Sequence, residues 1–337
     1  MPYWHRLRKI YFMAKKVLII RTGAIGDVVH STIIQQSIMA KYPDSQIHFL
    51  TSKVCASLIK NDKNLKKVHI FDFAKSDNLF YLFKLGLTFR KEKFDIIINL
   101  SNTLRNKLLL ILANPKKTVY RNRNRVHAVD AFFNSAKDAF DDIEKPSNLK
   151  LYLSYETTSA IETKIQNYPR PFFVISPGGE HDNARQGRIW PIDYWIKLSD
   201  DLVQKYGGTV FVIGSKGEAK YHEKIQSSKN AVLLSGELNI DESAALISKA
   251  DLFISGDSGP LHIASALDVK TIGIMGATPA TACGPYGDKG YSISPIYKCD
   301  TNCNRTCDKL NGSIYAPCIT SITPEVVLDF IEKNITL

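Results

Sequence analysis

The sequence predicts an α/β protein made of two doubly wound parallel-sheet domains, and three observations carry that expectation. At 337 residues the chain exceeds the usual size of one hydrophobic core, so two domains of roughly 150 residues each are expected. Short β-branched runs alternate with helical stretches, as in parallel strands joined by crossover helices. The series occurs twice, with the charged, proline-bearing stretch DDIEKPSNLK at 141–150 between the two runs, where a linker belongs.

Taken in order, VLIIR at 17–21 reads as a strand, because an unbroken apolar run suits a strand covered on both faces. A turn and an apolar-periodic helix through about Ala40 follow. QIHFL, KVHIF and DIIINL continue the strands to Leu100, and LRNKLLLILA and VHAVDAFFNSA read as helices. The second series runs through FFVISPG (172–178), TVFVIGS, AVLLSG, DLFISGDSG and KTIGIMG, with helices over 192–206, 217–228 and 241–250. In TPEVVLDFIEKN, Thr323 is the expected N-cap and Pro324 the first helical residue. The sequence leaves open whether this last helix packs back on the first lobe. The domains are then 1–155, opening with a basic and aromatic extension at 1–14, and 156–337.

An apolar fraction of 44% and a charged fraction of 23% are those of an ordinary folded protein. The net charge of +11 points to an anionic partner: nucleic acid, an acidic membrane surface or a phosphorylated small molecule. Charge alone does not choose among them, and a solvated basic face is the plainer alternative. No run of about 18 apolar residues exists to cross a bilayer. The opening MPYWHRLRKIYFM suits an interfacial helix on an acidic membrane better than a cleaved signal, with a frayed extension as the alternative.

Each half carries a Gly-Asp loop where a strand hands over to a helix. In GAIGDVVH (23–30) the free amides and the helix dipole make an electropositive pocket, and Gly23 and Gly26 let backbone approach a ligand. The spacing is neither G-x-G-x-x-G nor G-x-x-x-x-G-K-[ST], which weakens a nicotinamide or P-loop reading. Asp27 is either a stabilising helix-start carboxylate or a general base taking a proton from an attacking hydroxyl. In GDSGPLH (256–262), Ser258 and Gly259 present amides and a hydroxyl to a diphosphate, Pro260 suits the first turn, and His262 faces the same helix end. A third element, SPGGEHDNARQGRIWP at 176–191, brings Ser176, Gly178 and Arg188, the last a bidentate cation for a diphosphate. No D-x-D occurs to hold a divalent ion, so leaving-group charge falls to protein cations and helix ends.

Together, RTGAIGDVVHST, SPGGEHDNARQGRIWP, ISGDSGPLHIASAL, GATPATACGPYG and the late cysteine tail resemble the family 9 glycosyltransferases, the lipopolysaccharide heptosyltransferases, over roughly 15–330. The resemblance implies a GT-B fold: two Rossmann-like domains facing across a cleft, acceptor on the first and nucleotide-sugar donor on the second, with inversion at the anomeric carbon. Asp27 matches the catalytic Asp; Asp257, Ser258, Gly259 and His262 match the donor-phosphate loop, and Glu218 lies near the ribose-contacting acid. Arg188 stands where the best-known members have Lys, which keeps the charge and changes its geometry. The implied donor is ADP-L-glycero-D-manno-heptose. The implied acceptor is a phosphorylated inner-core lipid at the cytoplasmic face of the inner membrane, which Gly26, Arg105, Arg121, Arg123 and Arg125 would meet. Nucleic acid is then not a partner, and no cofactor is required for catalysis. A different donor, a protein acceptor, or a non-catalytic nucleotide-sugar-binding protein are the alternatives.

Of six cysteines, Cys299, Cys303, Cys307 and Cys318 form C-x3-C-x3-C-x10-C. On a straight helix Cys299 and Cys307 would lie about 12 Å apart, so one metal needs a folded-back loop, which Asn302, Asn304, Asn311 and Gly312 permit. Reduced thiols are expected in a cytoplasmic enzyme. A structural zinc or iron site and inert cysteines are the two readings.

Overall fold

The computed structural model describes residues 15–121, 126–179, 188–227, 231–295, 307, 313 and 315–337. The chain forms two compact units, Met1–Ser147 and Asn148–Leu337, with the break inside the charged 141–150 stretch.

In the first unit, β1 (Lys16–Ile20), β2 (Gln46–Ser52), β3 (Leu65–Phe71), β4 (Ile96–Asn99) and β5 (Lys117–Tyr120) make one parallel sheet in the order β3-β2-β1-β4-β5. Helices α1 (Ile25–Lys41) and α5 (Ala128–Lys137) pack together, as do α3 (Leu79–Glu92) and α4 (Leu104–Ala113), while α2 (Lys53–Ile59) follows β2. Leu18 and Ile20 meet Leu82, Phe89, Leu109 and Leu110 in one buried cluster. Alternation along the strand sends Val17 and Ile19 to the other face, and all four are fully buried. Each such side chain contributes about 2 kcal/mol, and burial on both faces is why the strand reads as an unbroken apolar run. At Gly86 the α3 and α4 backbones come close: a Cβ there would lie 2.5 Å from the Leu112 Cβ.

The second unit opens with α6 (Tyr155–Ile165) and holds β6 (Phe172–Ser176), β7 (Thr209–Val212), β8 (Ala231–Leu233), β9 (Leu252–Gly256), β10 (Thr271–Ile274) and β11 (Gly290–Ile293). All are parallel, in the order β8-β7-β6-β9-β10-β11, which is the 3-2-1-4-5-6 order of dinucleotide-binding sheets. Its helices are α7 (Ile192–Tyr206), α8 (Lys216–His222), α9 (Ile240–Ile247), α10 (Gly259–Ala266), α11 (Ala280–Cys283), α12 (Pro317–Thr320) and α13 (Pro324–Asn334). Trp190 and Trp195 pack edge to face at 4.8 Å in the core, and the Trp190 indole donates to the Ile322 carbonyl at 2.6 Å.

The terminal helix α13 buries Val327 and Ile331 in the core of the second unit, against the elements that Trp190 and Trp195 anchor. Two expectations change. The helix expected over 217–228 ends at His222 and tightens into a 3₁₀ turn to Ser227, a common way for a helix to finish. Strands β5 and β11 were not anticipated, because KTVY and GYSI are short and mostly exposed or half-buried and so carry no strong apolar signal. Among the described residues no helix is long and apolar enough to cross a membrane.

Candidate active site

In a parallel sheet every strand ends on the same edge, and the loops there diverge where the strand order reverses. Those switch points fall between β1 and β4 in the first unit and between β6 and β9 in the second. The two Gly-Asp loops follow β1 and β9.

In the second unit a cavity of about 600 Å³ opens at this point, a size suited to a small-molecule ligand. The loop after β6 lines it with Ser176, Gly178 and Gly179, the start of α8 with Glu218, and the loop after β9 with Asp257 and Ser258, while Arg188 reaches in from before α7. The Ser258 hydroxyl is shared with Ser255 at 3.0 Å rather than capping α10. The first-turn amides of α10 thus lack a side-chain cap and present their partial positive charge to the cavity. Arg188 Nη1 lies 3.1 Å from Asp257, and His262, on the first turn of α10, lies 3.8 Å from the other Asp257 oxygen. Burial pushes the Asp257 carboxyl up, but the hydrogen bond from His262, the charge of Arg188 and a hydrogen bond from Thr278 outweigh it, so the net displacement is downward. Asp257 is therefore a carboxylate that holds Arg188 and His262 while it lines the cavity beside Ser258. Glu218 accepts from the Ser215 amide at 2.7 Å in a capping box, and its stem lies beside Gly179. It is both the helix-start acid and a wall of the cavity.

His222 was not singled out by the sequence. Fully buried, it can only donate through Nε2 to the Gly178 carbonyl, at 2.9 Å, so Nδ1 accepts from the Ser235 hydroxyl at 2.6 Å. Burial holds its pKa below the ordinary histidine value, consistent with a neutral ring of fixed tautomer. Gly178 itself has φ of +79°, a conformation that suits glycine. The ring thereby fixes the left-handed turn of a loop that lines the cavity. Its signal in the sequence was the i, i+4 spacing from Glu218, which puts both on one face of α8.

In the first unit, Gly26 and Asp27 lie in the first turn of α1, whose N-cap Ala24 supplies no side-chain bond. Arg21, at the end of β1, pairs with Oδ2 of Asp27 and also donates to the Leu100 carbonyl at 3.3 Å. Burial lowers the Arg21 pKa, partly offset by Asp27. The pairing leaves Oδ1 of Asp27 without a protein partner among the described residues. Arg21 was missed, although it directly precedes the TGAIGD loop. Asn99, the last residue of β4, is buried with an unpartnered amide nitrogen. Arg121 follows β5 and lies over the Phe132 ring at 4.9 Å. Arg105 lies in the first turn of α4 and pairs with Asp77. These residues share the strand-end edge with Asp27; Arg123 and Arg125 lie outside the described residues.

Cys299 and Cys303 also lie outside the described residues, as does the 1–14 extension. Cys318 is buried and Cys307 half-buried, and among the described residues no three His, Cys, Asp or Glu side chains gather as a metal site. The metal expected at the tail gains no support.

Two doubly wound sheets, each with its polar loops at the switch point and one with a cationic, ligand-sized cavity, define a GT-B fold. The glycosyltransferase family 9 (heptosyltransferase) model matches residues 82–311, and the chain belongs to that family of glycosyltransferases. It is 26% identical to lipooligosaccharide heptosyltransferase 2 of Haemophilus influenzae, over 94% of this chain and 98% of that one. Among solved structures it resembles a family 9 glycosyl transferase from Veillonella parvula, with a TM-score of 0.81 and 16% identity over 96% of this chain and 97% of that one. It also resembles E. coli ADP-heptose lps heptosyltransferase II, with a TM-score of 0.76 and 19% identity over 94% and 98%.

Proposed function

We propose that the chain transfers heptose from ADP-L-glycero-D-manno-heptose to a phosphorylated inner-core lipopolysaccharide acceptor, with inversion and without a divalent ion, at the cytoplasmic face of the inner membrane. The observation that carries the donor reading is the cavity in which Arg188 and the uncapped start of α10 converge. Anionic diphosphate is the ligand that this end of the cavity favours. The relatives' names supply the sugar and the acceptor.

Asp27 takes the proton of the acceptor hydroxyl through Oδ1 while Arg21 holds Oδ2. The freed oxygen forms its bond to the anomeric carbon as the bond to the diphosphate oxygen breaks on the opposite face. Arg188, fixed by Asp257, and the α10 amides stabilise the charge gathering on the departing diphosphate. Glu218, with one oxygen committed to Ser215, offers the other to a ribose hydroxyl. No step in this scheme draws on a metal.

The test pairs donor calorimetry over ADP, UDP, GDP and dTDP with a transfer assay. ADP should bind most tightly, and Asp27→Asn should cut turnover by roughly a hundredfold or more while leaving ADP affinity unchanged. Equal turnover in Asp27→Asn would refute the base assignment, and preference for another nucleotide would refute the donor.

A further inference from the structure

The first unit exposes more large apolar side chains at its strand-end edge than a solvated surface needs. Val54 opens α2, Phe73 follows β3, Leu79, Phe80 and Phe83 lie on the first turns of α3, and Leu104 opens α4. Leu104 is 83% exposed, Phe80 75% and Leu79 71%. All follow the C-terminal ends of parallel strands, so they share the edge that carries Asp27. Two contacts join them into one lip. The Arg105–Asp77 ion pair ties the start of α4 to the segment entering α3, bringing Leu104 towards Leu79. A Cβ on Gly23 would meet the Phe73 ring at 3.5 Å, so the lip reaches the loop that holds Asp27.

The charge around the lip selects its occupant. Segments 53–54, 72–84 and 102–107 hold five cations (Lys53, Lys75, Lys84, Arg105 and Lys107) against two acids, Asp72 and Asp77. Both acids are already paired, with Lys75 and Arg105, which leaves Lys53, Lys84 and Lys107 in excess. Leucines and phenylalanines on the first turns of helices, bordered by lysines, are the arrangement that inserts at the headgroup boundary of an anionic bilayer. A protein partner would have to supply acidic side chains around an apolar centre, whereas an anionic lipid surface supplies both at once.

We infer that this lip, formed by Phe73, Leu79, Phe80, Phe83 and Leu104, seats the first unit on an anionic membrane with the Asp27 loop beside the bilayer. The inference deepens the proposed function, since it presents the base to an acceptor hydroxyl on a lipid anchored in that bilayer, but its test needs no sugar transfer.

The full chain is sedimented with phosphatidylcholine vesicles with and without phosphatidylglycerol. It should partition onto the anionic vesicles and shed from them as salt rises. The variant Leu79→Ser/Phe80→Ser/Leu104→Ser should lose ~10-fold or more in partition while keeping its melting temperature and ADP binding. Three outcomes overturn the inference: no vesicle binding by the unsubstituted chain, equal partition by the variant, or a shift in oligomeric state on substitution, which would mark the lip as a protein interface. Vesicle binding that survives alongside absent nucleotide binding would sink the transferase reading alone.

Discussion

Acid destabilisation of this protein is expected to begin with a buried histidine pair. His48 on β2 and His69 on β3 are buried side by side, Nδ1 to Nε2 at 3.0 Å, with Phe94 and Phe89 edge-on to the rings. Burial lowers the pKa of His48 to about 4, with Lys16, Lys67 and Lys66 adding to the fall and Glu92 opposing it. Burial likewise lowers His69 to about 4, with His48, Lys67 and Lys16 acting the same way against Glu92. The unfolded chain takes up protons near pH 6.5, so between about pH 6.5 and 4 it binds more protons than the folded chain. Stability is therefore complete above pH 6.5 and is lost as pH falls through that window. The shift is worth on the order of 3 kcal/mol per ring, and the slope about 1.4 kcal/mol per pH unit for each proton. Carboxylates with lowered values, such as Asp95 and Asp142, lose their contributions further down, as pH falls through the ordinary carboxylate value and on through the lowered one. Urea unfolding of the full chain at pH 7, 6 and 5 measures the effect, alongside His48→Gln/His69→Gln. The substituted protein should show a shallower slope between pH 6.5 and 5 than the parent. Equal slopes in the two proteins would refute the reasoning.

Two other predictions rest on close approaches. Gly178→Ala puts a side chain at φ of +79° and should weaken ADP binding severalfold with a small loss of stability, on the order of 1 kcal/mol; calorimetry showing undiminished affinity would argue that the loop does not shape the nucleotide pocket. Gly86→Ala drives a Cβ to 2.5 Å from the Leu112 side chain, and the forced separation of α3 from α4 should destabilise the protein by about 1–3 kcal/mol, visible as a lowered melting temperature.

Much of this architecture was legible in the sequence because its signals are local. Apolar runs such as VLIIR and DLFIS announce strands covered on both faces, and a Gly-Asp pair after each run announces a helix start. Arg188 could be picked out as a cation before x-W-P, since Pro191 does mark where α7 begins. What escaped depends on distant partners. His222 matters because Gly178, 44 residues away, supplies a carbonyl, and Arg21 matters because the turn of α1 brings Asp27 onto it. That Asp257 also joins Arg188 to His262 is likewise a matter of packing. Local chemistry placed the loops; only packing assigned the polar atoms within them.

The bond from Trp190 to the Ile322 carbonyl bears on the order in which the halves mature during synthesis. The first unit draws its sheet and helices from residues 16–137 and can close its core while later codons are still being read, as domains generally do. The second unit cannot. Its central tryptophans wait for Ile319, Ile322, Val327 and Ile331, so Phe173, Ile254 and their neighbours stay uncovered until residues 316–335 emerge. A ribosome that stalls within codons 316–335 would leave a chain with one finished half and one exposed apolar sheet, a form suited to chaperones and proteases rather than to catalysis.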